Sequence, residues 1–142
     1  MSYCDLDDIG AAIPEQDLIE LTDDSGLQVV NETAVNRAIE AADELIDTSI
    51  RGRYSLPLAV VPPLIKTLAV DIAVWRIYGR RRTLNMPEAV TLGYKEAVRL
   101  LTQIANGAMV LDLPTSPVTA AIGGPVVSAP ERLFPRDTLR RF

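Results

Sequence analysis

The reactive inventory of this 142-residue chain is 19 carboxylates, 14 lysines and arginines, a single cysteine and no histidine. Without histidine the commonest general base is missing, so Ser/His/Asp and Cys/His mechanisms are excluded. Cys4 has no second cysteine to pair with, and with no histidine beside it no zinc site of the usual kind can be assembled. It reads as a buried or idle thiol. The Gly123-Gly124-Pro125 stretch is not followed by the Lys-Ser/Thr helix start of a phosphate loop. Asp23, Asp24, Ser25 and Gly26 resemble a fragment of a calcium loop but lack its alternating oxygen ligands and closing glutamate, so they read as a solvated turn. Carboxylate pairs are the one catalytic device left. An enzyme is not expected, and no catalytic, metal-binding or cofactor-binding residue is assigned.

The charged residues can instead pair with one another. Asp71 lies within a largely apolar helix pattern, where a buried carboxylate needs a cationic partner. Arg51 and Arg53 are the nearest cations by topology, and Asp47 stands four residues before Arg51. These residues, with Tyr54 and Pro57, form an expected structural corner in which an arginine pairs with Asp47 or Asp71 and fixes an interhelical angle. Arg80, Arg81 and Arg82 close a helix at the negative pole of its dipole. They read as a solvated cap or, more sharply, as a phosphate contact with Tyr78 as the nearby stacking ring.

Charge is also segregated along the chain. Residues 1–48 hold thirteen acids against the single base Arg37, a balance of −12, whereas residues 49–142 hold six acids and thirteen bases, a balance of +7. Such a unit is two-faced unless its halves pack over each other, and it can attract copies of itself. Glu40 and Glu44 of one copy against Arg76, Arg80, Arg81 and Arg82 of the next make a candidate subunit interface. Head-to-tail contacts of that kind close into rings when the rotation permits.

The elements that must position these residues are helical. Asp5 is a plausible N-cap for a short helix ended by Pro14, which in turn starts a second one over EQDLIELT. Asn31 caps a helix of about twenty residues, with Val35, Ala38, Ala42, Leu45 and Ser49 on one face, widened by Ile39, Ile46 and Ile50. Arg37, Glu40, Glu44, Asp47 and Arg51 occupy its opposite face, and Gly52 ends it. Leu56 to Pro63 is an extended, apolar, proline-bounded link, because each proline disfavours helix at the residue before it. Pro63 opens the next helix, with Leu64, Leu68, Ile72, Trp75 and Gly79 in one stripe and Ile65, Ala69 and Tyr78 beside it. Pro87 opens a third long helix, with Val90, Tyr94, Ala97, Val98, Leu101 and Ile104/Ala105 on one face and Asn106-Gly107 as its stop. The expected fold is all-α, a compact bundle of three long and two short helices in one domain over residues 1–111.

After Gly107 the composition changes. Residues 112–142 hold five of the ten prolines and few apolar residues at helical spacing, and read as an extended C-terminal arm for assembly or docking. Val118 to Ile122 and Val126-Val127 have the pattern of short strands that could add to a neighbour's edge. Both phenylalanines fall in the terminal stretch, where Leu133, Phe134, Arg136, Leu139 and Phe142 form a candidate docking tail. No apolar run reaches the roughly 20 residues of a membrane span, since LAVDIAVWR and its like are broken by charge. The acidic start MSYCDLDDIG lacks a basic segment ahead of an apolar one, so no signal peptide is read and a cytosolic protein is expected.

Several of these stretches carry a family resemblance. AIEAADELID (Ala38 to Asp47), RGRYSLPL (Arg51 to Leu58), LIKTLAVDIAVWRIYGRR (Leu64 to Arg81), YKEAVRLLTQIANG (Tyr94 to Gly107) and RLFPRDTLRRF (Arg132 to Phe142) together resemble the small head-tail joining proteins of Mu-like phages and prophages. The Ile46-Asp47 pair followed by Arg53-Tyr54 and Leu56-Pro57-Leu58 is the most specific part. The ending Arg141-Phe142 departs from the glycine expected before the final phenylalanine. The resemblance implies an all-helical adaptor that forms a homo-oligomeric ring of about a dozen copies beneath the phage portal. Such a ring would meet a tail-side neck protein below, line or close the DNA exit channel, and touch packaged DNA non-specifically. Its place would be the virion neck, reached from the host cytoplasm, with no membrane involved. The alternative, from another class, is a cytosolic helical binding module that contacts nucleic acid through Arg80 to Arg82.

Overall fold

The computed structural model describes residues 1–81 and 84–114. Five helices follow one another: α1 (Leu6–Ala12), α2 (Glu15–Thr22), α3 (Glu32–Ile50), α4 (Pro63–Arg80) and α5 (Glu88–Asn106). The fold is all-α, with three long and two short helices, and the expected starts and stops hold. Asp5 accepts the Asp8 amide while the Asp8 carboxylate takes the Asp5 amide, a reciprocal capping box for α1. Asn31 accepts from the Ala34 amide at the start of α3. Pro63 sits in the first turn of α4, Pro87 is the N-cap of α5, and Gly107 closes α5 in the left-handed region.

Helix α4 is the hub of the bundle, packed against each of the other four helices. That position explains a departure from the expected stripe. Ile65, Leu68, Ala69, Ile72, Ala73, Val74 and Ile77 are buried, so the covered arc is wider and rotated away from exposed Gly79 and half-buried Trp75. A helix enclosed by neighbours needs apolar residues on more than one stripe. Helix α3 also turns its Ile39, Ile46 and Ile50 edge inward, leaving Leu45 and Ser49 half-buried at the margin. In α5 the buried set is Ala97, Leu101 and Ile104, whereas Val98 and Ala105 of the expected face are exposed.

The core extends beyond the helices. Tyr3 and Cys4 from the N-terminal segment, Tyr54 and Leu58 from the link, and Leu111 after α5 all belong to it. The link is non-helical as the prolines require, but instead of running straight it bends at Leu56-Pro57 and again at Ala59-Val60, and its Leu56–Pro57 peptide is cis. Thr22 joins two helices: its hydroxyl donates to the Leu18 carbonyl at 2.7 Å and accepts the Asn31 amide at 3.1 Å. No helix among the described residues is long and apolar enough to cross a membrane.

Candidate functional site: a corner clamp and two charged flanks

The corner after α3 is built differently from the expected ion pair. Among the described residues, neither Arg51 nor Arg53 forms a salt bridge with Asp47 or Asp71. Asp47 instead accepts the Tyr3 hydroxyl, which belongs to the N-terminal segment. Asp71 is half-buried on α4 near Gly93 of α5, and burial holds its carboxyl above the usual range. Arg51 is exposed, and Arg53 lays its guanidinium over Gly107, where a Cβ would collide with it. The Tyr3 side chain and the backbone at the end of α5 reach the corner first, a competition that sequence distance does not reveal.

What the corner does is hold the end of α5. Tyr54 is 1% exposed, and its hydroxyl accepts the Leu111 amide at 2.8 Å. Arg53, the residue just before Tyr54, covers Gly107. The RGRYSLPL segment therefore clamps the residues through which α5 leads towards position 114, with Pro57 exposed beyond it. The docking residues Leu133, Phe134, Arg136, Leu139 and Phe142, like Arg82 and the stretches 118–122 and 126–127, lie outside the described residues.

The terminal arginines of α4 are engaged within the chain. Arg80 donates to the Leu21 carbonyl at 3.3 Å and to the Asp24 carboxylate at 2.7 Å. Arg81 donates to the Asp23 carbonyl and, at 3.4 Å, to Asp24. The turn they meet is ordered by Asp23, which accepts from the Gln28, Ser25 and Gly26 amides and from the Ser25 hydroxyl. The Gln28 amide foremost, with those of Ser25 and Gly26, holds its carboxyl down at about 2. Lys66 of α4 similarly meets Asp8 of α1 at 2.9 Å. The acidic N-terminal third thus folds over basic α4, and part of the charge segregation is neutralised inside one copy.

The remainder is displayed on two sides of α3. A groove of roughly 470 Å³ is lined by Asn36, Ile39, Glu40, Asp43, Glu44 and Asp47, with Met1 and Ser2 at its edge. A second, of roughly 240 Å³, has Ala34, Ala38 and Ala41 for a floor and Arg37, Arg76 and Arg80 around it. The first is acidic and the second basic. Among the described residues Glu40, Glu44, Arg37 and Arg76 make no salt bridge, and the buried Nε of Arg76 has no hydrogen-bond acceptor.

Sequence reading did not single out Asp43, which is only 9% exposed and accepts the Tyr3 amide at 3.1 Å. Burial raises its pKa despite that bond. The signal was its spacing with Ile39, Ile46 and Ile50 on the inward edge of α3. Cys4 beside it is buried and its thiol is pushed up to about 12, chiefly by burial, which leaves it protonated and unreactive. Among the described residues no group of three or more His, Cys, Asp or Glu is arranged to hold a metal ion.

Comparison with known proteins places this frame among phage proteins. Residues 3–129 match the family model described as Bacteriophage Mu, Gp36. The Mu-like prophage FluMu protein gp36 of Haemophilus influenzae is 28% identical over 116 residues, covering 81% of this chain and 79% of that protein. Gene product J of Escherichia phage Mu is 30% identical over 108 residues, covering 75% and 74%.

Proposed function

Because this chain belongs to the Bacteriophage Mu, Gp36 family, we propose that it is a non-enzymatic head-tail connector of a Mu-like phage or prophage. It assembles as a homo-oligomeric ring of about a dozen copies between the portal above and a neck protein on the tail side. The ring lines or closes the DNA exit channel of the virion neck, after the protein has passed through the host cytoplasm. The observation that carries this reading is the family match across residues 3–129. A physical reason for self-association supports it: an acidic groove borders α3 on one flank and a basic groove shared with α4 on the other, which suits contacts between successive copies. Contact with packaged DNA, where it occurs, is through backbone phosphate and independent of sequence.

The alternative, a nucleic-acid module using Arg80 to Arg82, is weakened because Arg80 and Arg81 already serve the Asp23-Asp24 turn. Electron micrographs of particles made without this gene decide between them. Filled heads and separate tails are expected. Joined, infectious particles would sink the connector reading, and binding of a duplex probe by a protein that stays monomeric would favour the module.

A further inference from the structure

We infer that the joint between copies is the basic groove of one chain, at Arg37 and Arg76, receiving the acidic flank of α3 of the next, at Glu40 and Glu44. This deepens the connector reading and rests on it for the ring, but the joint itself follows from the placement of charge. At 100° per residue, the α3 positions lining the acidic groove (36, 39, 40, 43, 44 and 47) and those lining the basic one (34, 37, 38 and 41) have centres about 140° apart. The groove centres therefore border the buried face from opposite sides; Arg37 stands three residues from Glu40 on the exposed face of α3, but among the described residues the two make no salt bridge within one copy. Two different patches of opposite sign on one body suit the head-to-tail contact that a ring requires.

The chemistry within each groove fits that occupant. Ala34, Ala38 and Ala41 keep the floor of the basic groove shallow, so a helix edge can approach closely. Arg76 presents a buried Nε without an acceptor, a group whose desolvation is unrewarded until a carboxylate or carbonyl arrives. Arg80, already held by Leu21 and Asp24, fixes one wall of the groove. On the other side Glu40 and Glu44 are exposed and without cationic partners among the described residues, whereas Asp43 and Asp47 are occupied by Tyr3. The available carboxylates are thus the two glutamates. Arg37 is the one base in the first 48 residues, and it stands where the neighbour's acids would arrive.

The test uses the full-length protein and two charge-reversed forms. One carries Arg37→Glu and Arg76→Glu, which makes both flanks acidic; the other carries Glu40→Lys and Glu44→Lys, which makes both basic. Sedimentation at low salt should show wild-type oligomers that weaken as salt rises, since exposed charges are screened beyond a Debye length of ~8 Å at physiological salt. Each reversed form alone should lose association, and an equal mixture should regain it, because acidic and basic copies can then alternate. Should Arg76→Glu unfold the chain, Arg37→Glu alone, at an exposed position, carries the same comparison. Wild-type protein that stays monomeric at low salt, a reversed form that assembles unaided, or a mixture that stays monomeric would each overturn the joint. Unjoined heads in particles lacking the gene, together with any of these results, would leave the connector reading standing without it.

Discussion

Gly93 and Gly107 belong to one helix and its cap, yet the same replacement should act on them in opposite directions. Gly93 has room: an added Cβ would meet the Asp71 carboxyl carbon at 3.6 Å, an ordinary contact. Gly93→Ala should therefore raise stability by about 0.5–1 kcal/mol, the helix-propensity difference. Gly107 has φ of 79° and the Arg53 guanidinium over it, so Gly107→Ala should cost about 1–3 kcal/mol. Urea midpoints of the two variants measure both; a stabilised Gly107→Ala would show that Arg53 does not lie over the cap. Asp71 adds a pH signature. Burial raises its folded pKa above the ordinary carboxylate value of about 3.9, so the native state holds the proton more tightly and stability falls as pH rises through the folded pKa. Asp71→Asn should stabilise the protein at pH 7 and lose that advantage below about pH 4. A variant equally stabilised at both would point to packing and not to charge.

At the scale of elements, the helices were legible because their signals are local: Asp5, Asn31, Pro63, Pro87 and Gly107 each mark a boundary through chain geometry or a cap within a few residues. Which face of α3 and α4 turns inward was less so, since rotation is set by the partners, and α4 has four. The corner shows the limit most clearly. Its residues were identifiable, but their partners lie in Tyr3, Gly107 and Leu111, which only the packed bundle brings near. Arg80 and Arg81 similarly found Asp23 and Asp24 across more than fifty residues of chain. The clamp on α5 is testable. Tyr54→Phe leaves the Leu111 amide without its acceptor, and a buried unsatisfied amide costs about 1–3 kcal/mol. Hydrogen exchange at Leu111 should quicken along with the drop in melting temperature. Unchanged exchange would place the end of α5 under other control.

For the whole molecule, the question is which part of the chain folds and which part joins. The core of the described residues is closed by Leu111, with Leu113 packed against it, and every described helix lies upstream of these two. A chain ending after Pro114 keeps all of those contacts. It should retain its helical circular dichroism and its melting temperature. If the terminal Leu133, Phe134, Leu139 and Phe142 dock on a neck partner, the same truncated chain should fail to restore infectivity to a phage lacking the gene. Its α3 flanks remain intact, so salt-sensitive self-association should survive the cut even as joining is lost. An unfolded product would assign residues beyond 114 to the core. A folded product that restores infectivity would remove the docking tail and leave the flanks of α3 as the surfaces that carry assembly.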